Sequence, residues 1–89
     1  METNRIAIIG IIVESTENVE KLNTLISEYA PYIIGRMGVP HRARGVNIMS
    51  IAIDAPQDII NALSGKVGKI EGISAKTAYS KMEYPGESQ

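Results

Sequence analysis

Six short segments follow one another as strand, helix, strand, strand, helix, strand, and they use up nearly the whole chain. Strand-like sequence begins by Arg5–Ile6 and the last strand-like residue is about Tyr79. A catalytic domain, a DNA-reading helix pair or a membrane anchor would need residues outside this unit. Function is therefore expected in its loops, on its helices, or on surfaces that copies of it make together.

Ile6 to Val13 is short and rich in β-branched side chains, which favours a strand over a buried helix. It is also far below the ~20 residues that a helix needs to span a bilayer. Nothing at the N-terminus resembles a signal peptide. The chain is expected to be cytoplasmic, with no membrane partner. Glu14-Ser15-Thr16-Glu17 then has the chemistry of a helix start, a hydroxyl cap followed by an acid in the first turn. Val19, Leu22, Leu25, Ile26 and Tyr29 give that helix one apolar stripe, and Pro31 stops it. Tyr32 to Met37 is the second strand, closed by Gly38-Val39-Pro40. His41 to Gly45 is a polar, basic connector, and Val46 to Ile53 is the third strand.

Asp54-Ala55-Pro56 opens a second helix, with proline where a missing N–H costs nothing. Ile59, Ile60, Leu63 and Val67 form its buried stripe, and Gly65 and Gly68 mark its end. From Ile73 to Tyr79 a fourth strand alternates, with Ile73, Ala75, Thr77 and Tyr79 on one face. The order βαββαβ predicts an α+β, ferredoxin-like fold: a four-stranded antiparallel sheet with two helices on one face. One domain is expected over 1–80, and 81–89, polar and without periodicity, is expected to be a flexible tail.

Two helices cover only one face of such a sheet, and the other face should alternate toward polar residues. Here it does not. The first strand places Ile6, Ile8 and Ile12 opposite Ala7, Ile9, Ile11 and Val13, and the third places Ile48, Ser50 and Ala52 opposite Met49, Ile51 and Ile53. Both faces are apolar, and a contiguous exposed apolar patch marks an interface. At about 25 cal/mol per Å², burying ~500 Å² contributes roughly 12 kcal/mol before the costs of association. The expectation is a homo-oligomer, a dimer or tetramer, with sheet faces packed together.

Composition removes several function classes. Without cysteine there are no disulfides, thiolate metal sites or cysteine nucleophiles. A net charge of −1 gives no electrostatic footprint for nucleic acid, so direct DNA binding is not expected. With four tyrosines and neither Phe nor Trp, there is no stacking platform for single strands either. No nucleophile–base pairing is visible, and an enzyme is not expected. Gly65-Lys66-Val67-Gly68-Lys69 lacks the phosphate-loop spacing and sits at a helix end, where glycine termination explains it.

Two groups of residues remain as ligand-binding candidates. Arg36, His41, Arg42 and Arg44 surround the connection between the second and third strands. Together they can hold a carboxylate or phosphate, arginine by bidentate contact and histidine as a donor. Glu14, Ser15 and Thr16 form the first strand–helix turn, whose N–H groups can receive an effector carboxylate or simply be capped. His41 is also the candidate metal ligand. A stable site would draw the other ligands from carboxylates or from histidines of partner subunits.

Arg36-Met37-Gly38-Val39-Pro40, the segment Leu63-Ser64-Gly65-Lys66-Val67-Gly68-Lys69-Ile70-Glu71-Gly72-Ile73 and Lys76-Thr77 resemble the iron-only hydrogenase system regulator family over roughly Arg5 to Ser80. The resemblance implies a short bacterial protein with an ACT-like fold, similar to the regulatory domain of nickel-responsive repressors. It implies a role in regulating the hydrogenase or its maturation, and a small effector, such as an amino acid, bound at subunit interfaces. Nickel-responsive repressors themselves use several histidines, a cysteine and an N-terminal ribbon-helix-helix. This chain has one histidine and no cysteine, and only its first few residues precede the first strand. The leading expectation is an oligomeric sensor that binds an effector and acts through a protein partner. The alternatives are a metal-binding oligomer built on His41 and a transcriptional regulator that reaches DNA only through its partner. The cofactor is not legible in the sequence.

Overall fold

The computed structural model describes residues 3–85. Strand β1 (Thr3–Val13) leads through a 3-10 turn (Thr16–Asn18) into helix α1 (Val19–Glu28). A second 3-10 turn (Ala30–Tyr32), containing Pro31, ends that helix and feeds strand β2 (Ile33–His41). Strand β3 (Val46–Ala55), helix α2 (Gln57–Gly68) and strand β4 (Ile73–Pro85) follow. The sheet order is β2-β3-β1-β4, and every neighbouring pair is antiparallel. This is the ferredoxin-like arrangement, with the two most apolar strands in the centre.

The helices share one face of the sheet. Ala7, Ile9, Ile11 and Val13 of β1 and Ile51, Ile53 and Ala55 of β3 lie buried beneath them. Leu22 and Ile26 of α1 and Tyr29, just past its end, close the core on one side, and Ile60, Leu63 and Val67 of α2 on the other. With no Phe or Trp available, isoleucine supplies most of the packed volume. Of the stripes expected from helical spacing, Leu22, Ile26, Tyr29, Ile60, Leu63 and Val67 are buried, whereas Val19, Leu25 and Ile59 pack against the core only partly buried.

Local chemistry sets the turns. The Glu17 N–H donates to Ser15 Oγ (3.3 Å) at the start of the first 3-10 turn, and Asn18 Nδ2 donates to the Glu71 carbonyl (3.1 Å). The Glu14 N–H donates to the Gly72 carbonyl (2.8 Å), which holds the β1 exit against the entry to β4. Pro56 caps α2, its carbonyl accepting from the Ile59 and Ile60 N–H groups.

Several boundaries differ from the sequence reading. Strand β1 begins at Thr3, and β3 continues through Asp54 and Ala55, so that Pro56 is the N-cap of α2 instead of lying in its first turn. Strand β4 continues past Tyr79 to Pro85, so 81–85 belong to the sheet, whereas 86–89 of the expected tail lie outside the described residues. The extension pairs with Thr3, Asn4 and Arg5 after a bulge between Arg5 and Ala7. Arg5 secures it: Nη2 donates to the Ser80 carbonyl (2.6 Å), Nη1 to Gln57 Oε1 (3.1 Å), and the guanidinium lies 4.8 Å from the Tyr79 ring centroid. Strand β2 likewise runs through Gly38, Val39 and Pro40 to His41, because proline is tolerated on an edge strand. Helix α2 passes through Gly65 and ends at Gly68.

Candidate functional site: an open sheet face and an adjoining cleft

The sheet face turned away from the helices is apolar and uncovered. Ile8 is 51% exposed, Ile12 43%, Ile48 46% and Val39 52%, values far from those of packed aliphatic side chains. Register makes them continuous: Ile12 stands opposite Ile48, and Ile48 opposite Val39, in a row across β1, β3 and β2. Met37, opposite Ser50, lies two residues further along β2 and is also exposed. Gly10 interrupts the ridge of β1 and leaves a hollow of about 270 Å³ bordered by Ile12, Ile48, Ser74 and Lys76. The face is therefore shaped as well as apolar.

A cleft lies beside it, between α1 and the edge of the sheet. Its origin is in the sequence of β2. Past Ile33, the residues of β2 on the helix side are Arg36, Gly38 and Pro40, opposite Ile51, Met49 and Asn47. They offer α1 no aliphatic surface, so the helix packs over the central strands and leaves β2 exposed along its length. The resulting space of about 230 Å³ has Val13, Val19, Leu22 and Met49 as apolar walls. Arg36, Asn23 and Asn47 supply its polar groups. Val39 and Ile48 border both this cleft and the open face.

The structure divides the basic candidates. Arg36 lines the cleft on the helix side. His41 is the last residue of β2, pairs with Val46 and belongs with Met37 and Val39 to the open side, since alternate residues share a face. Arg42 and Arg44 are exposed in the turn, where the Arg44 N–H donates to the His41 carbonyl and the Gly45 N–H to the Arg42 carbonyl (3.2 Å each). Gly45 provides the left-handed residue (φ +69°) that the turn needs. Five residues of extended strand put Arg36 and His41 about 16 Å apart along the chain. They cannot clasp one small anion.

Glu14, Ser15 and Thr16 sit at the same end of the sheet as the hairpin, since Val13 pairs with Asn47 and Asn47 with Pro40. Ser15 is engaged in capping, and its Cβ packs on Gly72. The two candidate groups thus flank the cleft, and of their members Arg36 alone lines it. Asn23 and Asn47 were not among the residues singled out by sequence. Each is an isolated polar residue in a helix or strand, and nothing in local spacing marks it. Among the described residues, no group of three or more histidine, cysteine, aspartate or glutamate side chains could hold a metal ion. No helix among them is long and apolar enough to cross a membrane.

A small α+β domain of ferredoxin-like fold, with an open apolar face and one cationic cleft, is the class of protein that this geometry defines. The chain matches the TM1266-like model, that of the iron-only hydrogenase system regulator, over residues 5–77, and it belongs to that family. Among solved structures it is similar to that of the uncharacterized protein TM1266 from Thermotoga maritima. The TM-score is 0.84 and the sequence identity 32%, over 88% of this chain and 99% of that one. No curated protein matches the chain.

Proposed function

We propose that this protein is a non-enzymatic regulator of the iron-only hydrogenase system that assembles through its open sheet face, binds a small effector and signals to a protein partner. The family supports the regulatory role. The observation that carries the assembly is the continuous row Ile12, Ile48 and Val39, with Ile8 beside it, each close to half exposed or more. A second copy laid on this row removes from water the apolar surface that the helices leave uncovered. We assign effector binding to the cleft and its flanking turns, a reading supported by the position of Arg36 beside apolar walls. Val39 and Ile48 belong to both surfaces, so occupancy of the cleft biases assembly by the difference in ligand affinity between assembled and free states.

Native mass spectrometry of the purified protein tests the reading. The expected species is a dimer or tetramer, reduced to monomer by Ile8→Lys or Ile48→Lys with the fold retained. A wild-type protein that remains monomeric at micromolar concentration overturns it. A second reading is favoured by the position of His41 on the open side, where face-to-face packing brings histidines of several subunits onto one surface. It predicts binding of Zn²⁺ or Ni²⁺ that disappears in His41→Ala.

A further inference from the structure

We infer that the cleft between α1 and β2 takes a small carboxylic acid with a branched apolar body and no charged amino group, its carboxylate held by Arg36. The inference rests on the effector reading above and gives that ligand a chemical class. Size comes first. About 230 Å³ is the space of roughly eight waters, and it lies below the ~300–1,000 Å³ typical of sites for drug-sized molecules. A metabolite-sized body fills the walled part of the cleft.

Polarity follows from the walls. Val13, Val19, Leu22 and Met49 present aliphatic surface to the ligand body, which must therefore be apolar. Among the described residues, Arg36 is the only charged residue of the lining, and none of them places an aspartate or glutamate at the cleft. Its guanidinium, a planar fork suited to a bidentate carboxylate, is exposed and has no carboxylate partner among the described residues. Asn23 and Asn47 add neutral hydrogen-bonding groups that orient the ligand without changing the charge balance. Arg42 and Arg44, in the turn just beyond the Pro40–Asn47 pair, raise the positive potential at the same end.

A lining that, among the described residues, is free of acidic groups sets the specificity. A zwitterionic amino acid would bring an ammonium close to Arg36 with no counter-charge, and that repulsion is absent from the simple acid. The cleft should therefore distinguish isocaproate from leucine, which differs from it by the amino group alone. It should also reject isocaproamide, which has the same shape without the charge.

The experiment is a titration of the full chain, labelled with ¹⁵N, with isocaproate, isocaproamide and leucine, each read by amide chemical shifts. Isocaproate is expected to give saturable shifts centred on Val19, Asn23, Arg36, Gly38 and Asn47, with a Kd in the millimolar range or below. Isocaproamide and leucine should bind at least about tenfold more weakly, and Arg36→Gln should abolish the isocaproate response while leaving the spectrum of the fold intact. Equal response to all three compounds, an undiminished response in Arg36→Gln, shifts confined to the open face, or no shifts at all would each overturn the inference. Native mass spectrometry of the same samples separates the two readings. An oligomer that ignores isocaproate removes the ligand class and leaves the assembly standing, whereas a monomer that binds it removes the assembly and leaves the cleft.

Discussion

At Gly72 the backbone takes a φ of +83°, and a Cβ there would stand 2.8 Å from the Ser15 Cβ. An alanine must accept the left-handed conformation and displace Ser15 at the start of the 3-10 turn that leads into α1. Gly72→Ala is expected to cost about 2 kcal/mol or more, seen as a lower midpoint in urea with an unchanged m-value. Tyr79 sets a pH limit. Burial raises its pKa above the ordinary 10.0, and the nearby Arg5 charge, which lowers it, only partly offsets this. A raised value means that the folded state holds the proton more tightly than the unfolded one. The associated stability is thus complete below about pH 10 and is lost as the pH rises through the folded-state value. Denaturation midpoints followed from about pH 8 to pH 11 should fall less steeply for Tyr79→Phe than for the wild type. Arg36 shows what a sequence conceals about a single residue. Its type and its place near a basic connector were legible, but its face was not, since one step along an extended strand reverses the side on which it lies.

Within β3, neighbouring positions answer to different partners. Ile51 is fully buried under the helices, whereas Ile48 faces the open side. Ile51→Ala should cost about 2–5 kcal/mol of folding stability. Ile48→Ala should leave the folding of the subunit nearly unchanged and weaken its self-association, read by sedimentation equilibrium. Strands β1 and β3 were legible because both of their faces are apolar, which is the pattern of central strands covered on each side. The last third of β4 was not. Lys81-Met82-Glu83-Tyr84 does alternate, but the run is only four residues long and closes on Pro85-Gly86, and its place is set by backbone pairing with Thr3–Arg5 and by the reach of the Arg5 guanidinium to Ser80. The cleft was illegible for a related reason. It exists because α1 fails to cover β2, and Asn23 and Asn47 come to line it together only when the chain is folded.

As a whole, the molecule places its cations apart rather than in one basic surface. Arg36 lies in the cleft, Arg42 and Arg44 in the hairpin turn, and Arg5 in contact with Tyr79 near the opposite end of the sheet. With a net charge of −1, the chain alone should not bind duplex DNA at physiological salt. Fluorescence anisotropy with a labelled duplex checks this, and strongly salt-dependent binding would contradict it. The fold, the topology and the unpartnered face all follow from the order and polarity of six segments, because each is a property of long apolar runs. The same runs have an experimental use. Isoleucine fills the core at Ile9, Ile11, Ile51, Ile53 and Ile60, and it also forms the open face at Ile8, Ile12 and Ile48. Methyl labelling of this one amino acid therefore places two sets of reporters in the molecule, one sensitive to unfolding and the other to contact between copies, and a single spectrum can follow both events at once.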